Sequence, residues 1–424
     1  MSQRVVVFGP GPQFKGGISN FTSSLAKALK QEGAAVKLIS WSQQYPAIIP
    51  RDFIDRASKK NKLEDQGIPV HYLTNYNNPL SWKKTVDAIV SFNPDKVIFQ
   101  WAIAIQGLPI GWIARRIKQK LPATEILFDV HNVVQKETGS LDKRLTCYAL
   151  SAADTYIMHG SLTVEEFKSL LPNIPVTLSE KGVRSSEMKT ILKLYHPVYD
   201  MFTPDPDLNI SKIKHELGLG RHVFLFFGFI RKYKGLHYAI EAFAKIAAKH
   251  PDASLLIVGE SFWNQAAKKT ISVKMKTAVF RFLKSLIIKT ADQERDYNPL
   301  ALIEKLEIGK QVVVINSFVP NEEVNRYFQV SDAVVNYYEY ATPSGVESIA
   351  YNFSKPILAT RVGHFATAIV DGKNGYLAEA ADVNSMAEVM ERFLKFPVAE
   401  ESVKQFALSL SWKRYAQAIL AIAR

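Results

Sequence analysis

The sequence predicts an α/β protein built from two doubly wound parallel sheets. Short apolar runs alternate with amphipathic stretches, and this alternation occurs twice, on either side of a break near residues 196–199. Strand, helix, strand in that order gives parallel sheets with helices on both faces. The length agrees, since 424 residues are too many for one ordinary domain and enough for two full cores. Hydrophobic content of 47% with 22% charged residues is that of a globular chain.

In the first half, residues 5–8 read as a buried strand and residues 9–17 as a glycine-rich loop. Residues 18–31 read as a helix, with Phe21, Leu25, Ala28 and Leu29 at helical spacing. Strands are expected at 36–39, 96–101 and 125–128, each later one following a helical stretch. In the second half they are expected at 223–227, 254–258, 311–315, 333–336 and 356–359. Ser411-Trp412 opens a terminal helix. Residues 97–114 carry no charge, but Gln100, Gln106, Gly107, Pro109 and Gly111 break the run. It reads as strand, loop and helix and not as a membrane span.

Composition removes several classes. Cys147 is the only cysteine, which excludes an internal disulfide and a cysteine-based metal site. The nine histidines are scattered without a His-x3-His pair, so no metal is expected. Asp205 and Asp207 lie in a Pro-containing stretch and suit a turn or helix cap better than a cation. The apolar run after Met1 is too short for a signal peptide, so the expected location is cytoplasmic. A net charge of +13 favours an anionic partner.

Residues 337–364 are the most informative stretch. Glu339 and Glu347 stand with seven residues between them, and the Pro343-Ser344-Gly345 turn lies inside that spacing. A turn of small residues opening a helix presents free N–H groups at the positive end of the helix dipole, which suits a diphosphate. A nearby carboxylate can accept hydrogen bonds from both ribose hydroxyls. Upstream, a strand ends at Gly228, a loop holds Arg231, Lys232 and Lys234, and Gly235 opens a helix. A cationic loop at the C-terminal end of a strand is where an open α/β sheet binds anions.

Lys234-Gly235, the glutamate pair and Gly16-Gly17 of the first loop occur in the order found in retaining glycosyltransferases of group 1, family 4, which this chain resembles over nearly its whole length. The resemblance implies a GT-B fold: two Rossmann-like domains facing across a cleft, with a C-terminal helix crossing back to the first. It implies an acceptor-side domain over residues 1–198, a nucleotide-sugar domain over 199–405 and the returning helix over 406–424. It implies sugar transfer from a nucleotide-diphosphate sugar with retention, with no metal and no cofactor. Arg231 and Lys234 would then neutralise the leaving diphosphate, and Glu339 and His131 would meet the transferred sugar. Gly16, Gly17, Gly228, Ser344, Gly345, Val346, Glu347 and Phe318 form the expected donor site. Asn132, Glu137 and His159 are expected on the acceptor side.

Two features depart from the family pattern. Phe229 follows the strand glycine where an arginine is usual, and Arg231 comes two residues later. The gap from Glu347 to Lys355-Pro356 is two residues longer than usual, so anchoring on Lys-Pro puts Ile349 at the second glutamate's position. Both registers stand on sequence alone.

Residues 261–291 carry seven basic and no acidic residues, interleaved with Ile271, Met275, Val279, Phe282, Leu283 and Leu286 at helical spacing. This reads as a basic amphipathic helix in an insertion over 261–300, suited to an anionic bilayer, with a helix packing its apolar face on the domain as the alternative and nucleic acid the least favoured partner. The acceptor is accordingly expected to be a glycan or a lipid-linked sugar, with the enzyme peripheral at the inner face of the plasma membrane. Two rival readings share the fold. A sugar-nucleotide epimerase would need acid and base groups, for which only His131 and Glu137 offer themselves, and would need no acceptor. A non-catalytic binding protein would be free to lose Arg231 and Lys234, which are present.

Overall fold

The computed structural model describes residues 2–46, 53–58, 63–133, 140–179, 188–261 and 297–422. Two all-parallel sheets organise them. The first holds β1 (Arg4–Phe8), β2 (Ala35–Gln43), β3 (Val70–Asn75), β4 (Lys96–Trp101), β5 (Glu125–Val130), β6 (Thr155–Met158), β7 (Val176–Ser179) and β8 (Lys189–Lys193) in the order β3-β2-β1-β4-β5-β6-β8-β7. The second holds β9 (His222–Phe227), β10 (Ala253–Val258), β11 (Val312–Ile315), β12 (Ala333–Asn336), β13 (Ile357–Thr360) and β14 (Gly375–Ala378) in the order β11-β10-β9-β12-β13-β14. Chain order reverses at β1 in one sheet and at β9 in the other, since β1 pairs with β2 and β4, and β9 with β10 and β12. An open α/β sheet binds ligands at such a switch point, outside the carboxyl ends of its strands.

The central strands are apolar because both faces are covered. Val5, Val6, Val7 and Phe8 of β1 are fully buried, as are Leu255, Leu256, Ile257 and Val258 of β10. The chain around 97–114 forms β4, a short turn over Ala104–Gln106 and the helix Gly107–Lys120. Among the described residues no helix is long and apolar enough to cross a membrane. Sequence reading passed over β3, β7, β8 and β14. The half-exposed Val176-Thr177 and exposed Leu178 of β7 give it no buried face to announce it.

The chain crosses back at its end. The helix Trp412–Leu420 is capped by Ser411, whose side chain accepts from the Arg414 amide. Its inner face, Trp412, Tyr415, Ala416 and Ile419, is buried, and it packs on the helix Gly17–Gln31 of the first sheet. Phe21 of that helix is the anchor, with ring centroids 4.9 Å from Trp412 and 5.9 Å from Tyr415. Lys96 Nζ donates to the Ile422 carbonyl at 2.9 Å and Gln3 Nε2 to the Leu420 carbonyl at 3.0 Å, which satisfies the helix's C-terminal end. Trp412→Ala should therefore lower stability by about 3–5 kcal/mol. Its effect should appear as an earlier guanidinium midpoint for unfolding of the first domain, and an unchanged midpoint would mean that the helix is not a structural tie.

Candidate active site

The carboxyl edges of the two sheets face each other across a cleft of about 650 Å³. Two glycine turns meet there. On the first sheet's side, Gly16 and Gly17 lie at the opening of the helix Gly17–Gln31. On the other, Ser344 caps the helix Gly345–Asn352, its hydroxyl accepting from the Val346 amide at 3.3 Å. Tyr199 stands between them: its hydroxyl donates to the Gly17 carbonyl at 2.8 Å, and a Cβ on Gly345 would come within 3.0 Å of its ring. A single buried aromatic thus sets the spacing of the two turns. Sequence reading placed Tyr199 only at the domain boundary, and nothing in its flanking residues marks the role.

The cationic side of the cleft is built on β9. Gly228 follows this strand with φ +100°, a conformation that glycine adopts without strain. A Cβ there would lie 3.1 Å from Lys234 Nζ and 3.4 Å from Val346 Cγ2, so the ammonium and the first turn of the Ser344-capped helix converge on that glycine. Lys234 is only 9% exposed. Loss of water, and then the neighbouring Arg231 charge, push its pKa down to about 8. Among the described residues no carboxylate lies within ion-pair distance of its ammonium. Arg231 lines the cleft with its guanidinium 5.2 Å from the Tyr233 ring centroid. Phe318 also lines it, with Lys15 of the first domain 4.6 Å above its ring.

Of the two glutamates, Glu339 lines the cleft. Its Oε1 lies 4.0 Å from Nε2 of His237, which burial and then Lys232 hold to a pKa of about 4, so the pair is not an ion pair at neutral pH. Glu347 lies one helix face round. It is 6% exposed and lies 3.2 Å from His364 Nε2, while Val346 and Ile349 line the cleft in its stead. Residues three apart on a helix share a face and the next residue along does not. The expected ribose contact from Glu347 thus meets a geometric difficulty, and the Lys-Pro register, with Ile349 at the cleft, is the one this geometry matches.

On the acceptor side, Asn132 lines the cleft. His131 is held one layer behind it, with Nε2 2.7 Å from Gln100 Oε1 and its ring edge-on to Phe21. Burial holds its pKa to about 4, so it is neutral. His159 is buried beneath the returning helix, with Nε2 2.9 Å from both the Tyr415 hydroxyl and Asp129 Oδ1. Glu137 and the basic stretch 262–291 lie outside the described residues. Asp129, His131 and His159 place possible ligand atoms within 4.8 Å of one another. Both imidazole Nε2 atoms of this group are already engaged, by Gln100 and by Tyr415. Asp129 itself was missed, although a lone carboxylate inside the apolar run Ile126–Val130 is a recognisable sign of a buried polar network.

Residues 209–409 match the family described as Glycosyl transferases group 1. Spore coat protein SA of Bacillus subtilis is 24% identical over 331 residues, covering 74% of this chain and 75% of its own. A D-inositol 3-phosphate glycosyltransferase of Corynebacterium urealyticum is 24% identical over 261 residues, 58% of this chain, and the match spans about half of the relative's length, 53%. The solved structure of Anabaena Alr3699/HepE in complex with UDP-glucose superposes with a TM-score of 0.66 at 15% identity, covering 99% of this chain and 100% of that one, which is a likeness of fold. The chain has the GT-B fold, and residues 209–409 match the group 1 glycosyl transferase family.

The His364–Glu347 pair gives a pH test. Burial works against the His364 cation, but the Glu347 carboxylate raises its pKa above the ordinary histidine value. A raised histidine stabilises the fold fully below about pH 6.5, and this contribution fades as pH rises through the folded value. Melting temperature should therefore decline over that window in the wild type and much less in Glu347→Gln. Equal pH profiles would show that the pair carries no linkage. Calorimetric titration of Glu347→Gln with a nucleoside diphosphate should give near wild-type affinity, and a loss of tenfold or more would restore Glu347 as the ribose ligand.

Proposed function

We propose that the chain transfers a hexosyl group from a nucleoside-diphosphate sugar to a glycan or lipid-linked acceptor, with retention and without a metal ion. The observation that carries the donor half is Lys234. A buried ammonium with lowered pKa, beside a glycine and a helix N-terminus, is stabilised by an arriving anion. A solved neighbour in the same fold is a complex with UDP-glucose, which supports a nucleotide-sugar donor.

In this reading the diphosphate lies against Gly228, with Lys234 and Arg231 on its oxygens and the amides near Gly345 beneath it. The glycosidic C–O bond to the diphosphate breaks while the acceptor oxygen bonds the anomeric carbon on the same face. The acceptor proton passes to a leaving phosphate oxygen, so no side-chain base is needed. Arg231 and Lys234 stabilise the charge that develops on that oxygen, and being fixed beforehand they reorganise little as it forms. Glu339 at the cleft wall accepts from sugar hydroxyls. The ribose is held without a carboxylate from the Ile349 position.

Thermal shift with UDP, GDP and ADP tests the site, because a ligand stabilises the state that binds it. One of them should raise the melting temperature, and Arg231→Ala with Lys234→Ala should abolish the rise, each contact being worth roughly 1.5–3 kcal/mol. A full shift in the double variant would reject the site. Binding should also weaken as pH climbs past about 8, where free Lys234 loses its proton, by up to about tenfold per pH unit, and Lys234→Met should remove this dependence.

The basic stretch 261–291 supports docking on an anionic bilayer at the inner face of the plasma membrane, which brings the cleft to a lipid-linked acceptor. Replacing Lys268, Lys269, Lys274, Lys276, Arg281 and Lys284 by Gln should release the protein from anionic liposomes at low salt, each charge contributing about 1 kcal/mol. Wild type left in the supernatant under those conditions would point to a soluble acceptor.

A further inference from the structure

The carboxylate of Asp129 is wholly buried at the end of β5, and the groups around it form one directed chain of hydrogen bonds. The Tyr415 hydroxyl donates to Asp129 Oδ2 at 3.0 Å. That proton being spent, the contact between Tyr415 and His159 Nε2 at 2.9 Å is filled by the histidine's own N–H. On the other side, Gln100 Nε2 donates to the same Oδ2 at 3.4 Å. A carboxylate held ionised only accepts, so the amide nitrogen of Gln100 must face it. Burial opposes that ionised state, but the His159 ring overcomes it and holds the Asp129 pKa below its usual value.

The amide's direction then settles the next link. Gln100 turns its oxygen to His131, so His131 Nε2, 2.7 Å away, carries the ring proton. His131 Nδ1 is left as a bare acceptor, and among the described residues no hydrogen bond reaches it. Asn132, the next residue, lines the cleft.

We infer that Gln100 is a positioning residue: through the Asp129–Gln100–His131 chain it fixes His131 as the Nε2-protonated tautomer, so that Nδ1 accepts a hydrogen bond from a sugar hydroxyl in the cleft. Only the identity of that hydroxyl rests on the glycosyltransfer reading; the tautomer does not. The returning helix takes part, because Tyr415 supplies one of the donors that orient the carboxylate.

The test uses the full chain labelled with ring-15N histidine, with the His131 signals assigned by their loss in His131→Gln. The expected spectrum shows a neutral His131 protonated on Nε2 and bare on Nδ1 between pH 6 and 8. Gln100→Leu should release the ring into exchange between tautomers. Gln100→Glu should retain the wild-type form, because a carboxylic acid sharing its proton with Asp129 presents O–H and C=O where the amide presents N–H and C=O. In a donor-hydrolysis or transfer assay Gln100→Leu should lower kcat about tenfold while UDP affinity stays within about twofold, since UDP carries no sugar for Nδ1 to meet. A wild-type spectrum with the proton on Nδ1 overturns the inference, whether or not Gln100→Leu folds. So does a Gln100→Leu enzyme with an unchanged tautomer, or one whose kcat and UDP affinity fall together. If no nucleotide sugar is turned over, the glycosyltransfer reading fails while the spectrum still decides the tautomer.

Discussion

A carboxylate with no access to water needs its donors in place before the protein can close over it, and Asp129 draws these from three elements besides its own. Tyr415 reaches it from the last helix, His159 from the end of β6, Gln100 from β4, and the residue itself sits in β5. An unmatched buried charge is costly, so these elements are fixed relative to one another. The C-terminal helix is thus bound to the first domain by more than the apolar seat around Phe21. The same carboxylate lies one amide away from His131, which stands one layer behind the cleft-lining Asn132. Interdomain geometry and local site geometry share one support.

The cleft follows the opposite electrostatic logic. Lys234 is desolvated like Asp129, but its ammonium faces open space instead of a carboxylate. Its depressed pKa is the measure of that arrangement. The backbone permits it: Gly228 leaves room for the ammonium, and Gly235, with φ +64°, brings the chain so close to Tyr337 that a Cβ would lie 1.8 Å from its carbonyl oxygen. Positive charge, glycine turns and a helix N-terminus then face one volume. Tyr199 and the interdomain hydrogen bond from the Tyr340 hydroxyl to Glu166, at 2.6 Å, hold the two walls in register.

Much of this was legible in the sequence because it depends on local pattern. Apolar runs gave the central strands, and the cationic loop between Gly228 and Gly235 could be placed from chain order alone. Of the edge strands β11 was legible, while β3, β7 and β14 were not; β7 is half exposed and lacks the apolar run of the inner strands. Tyr199 was not legible either, since its role arises from two loops far apart in sequence that meet on one ring. His131 was expected at the cleft and stands one layer behind Asn132; its anchoring by Gln100 was not foreseen, because in sequence Gln100 is only a break in an uncharged stretch.

The glutamates show where counting residues gives out. A spacing of seven between Glu339 and Glu347 crosses an irregular loop, the turn at its end and a helix start. Only the last of these advances each side chain by a fixed angle, so spacing across the whole does not fix which face a residue takes. Anchoring on Lys355-Pro356 counts back through the helix Gly345–Asn352 from a point where β13 is about to begin, and it arrives at Ile349, which is on the cleft wall. Glu347 is rotated toward His364, which meets its carboxylate within the protein. A cleft that meets the nucleoside with Ile349 and Val346 at this wall has to recognise it through shape, backbone groups and the polar residues opposite.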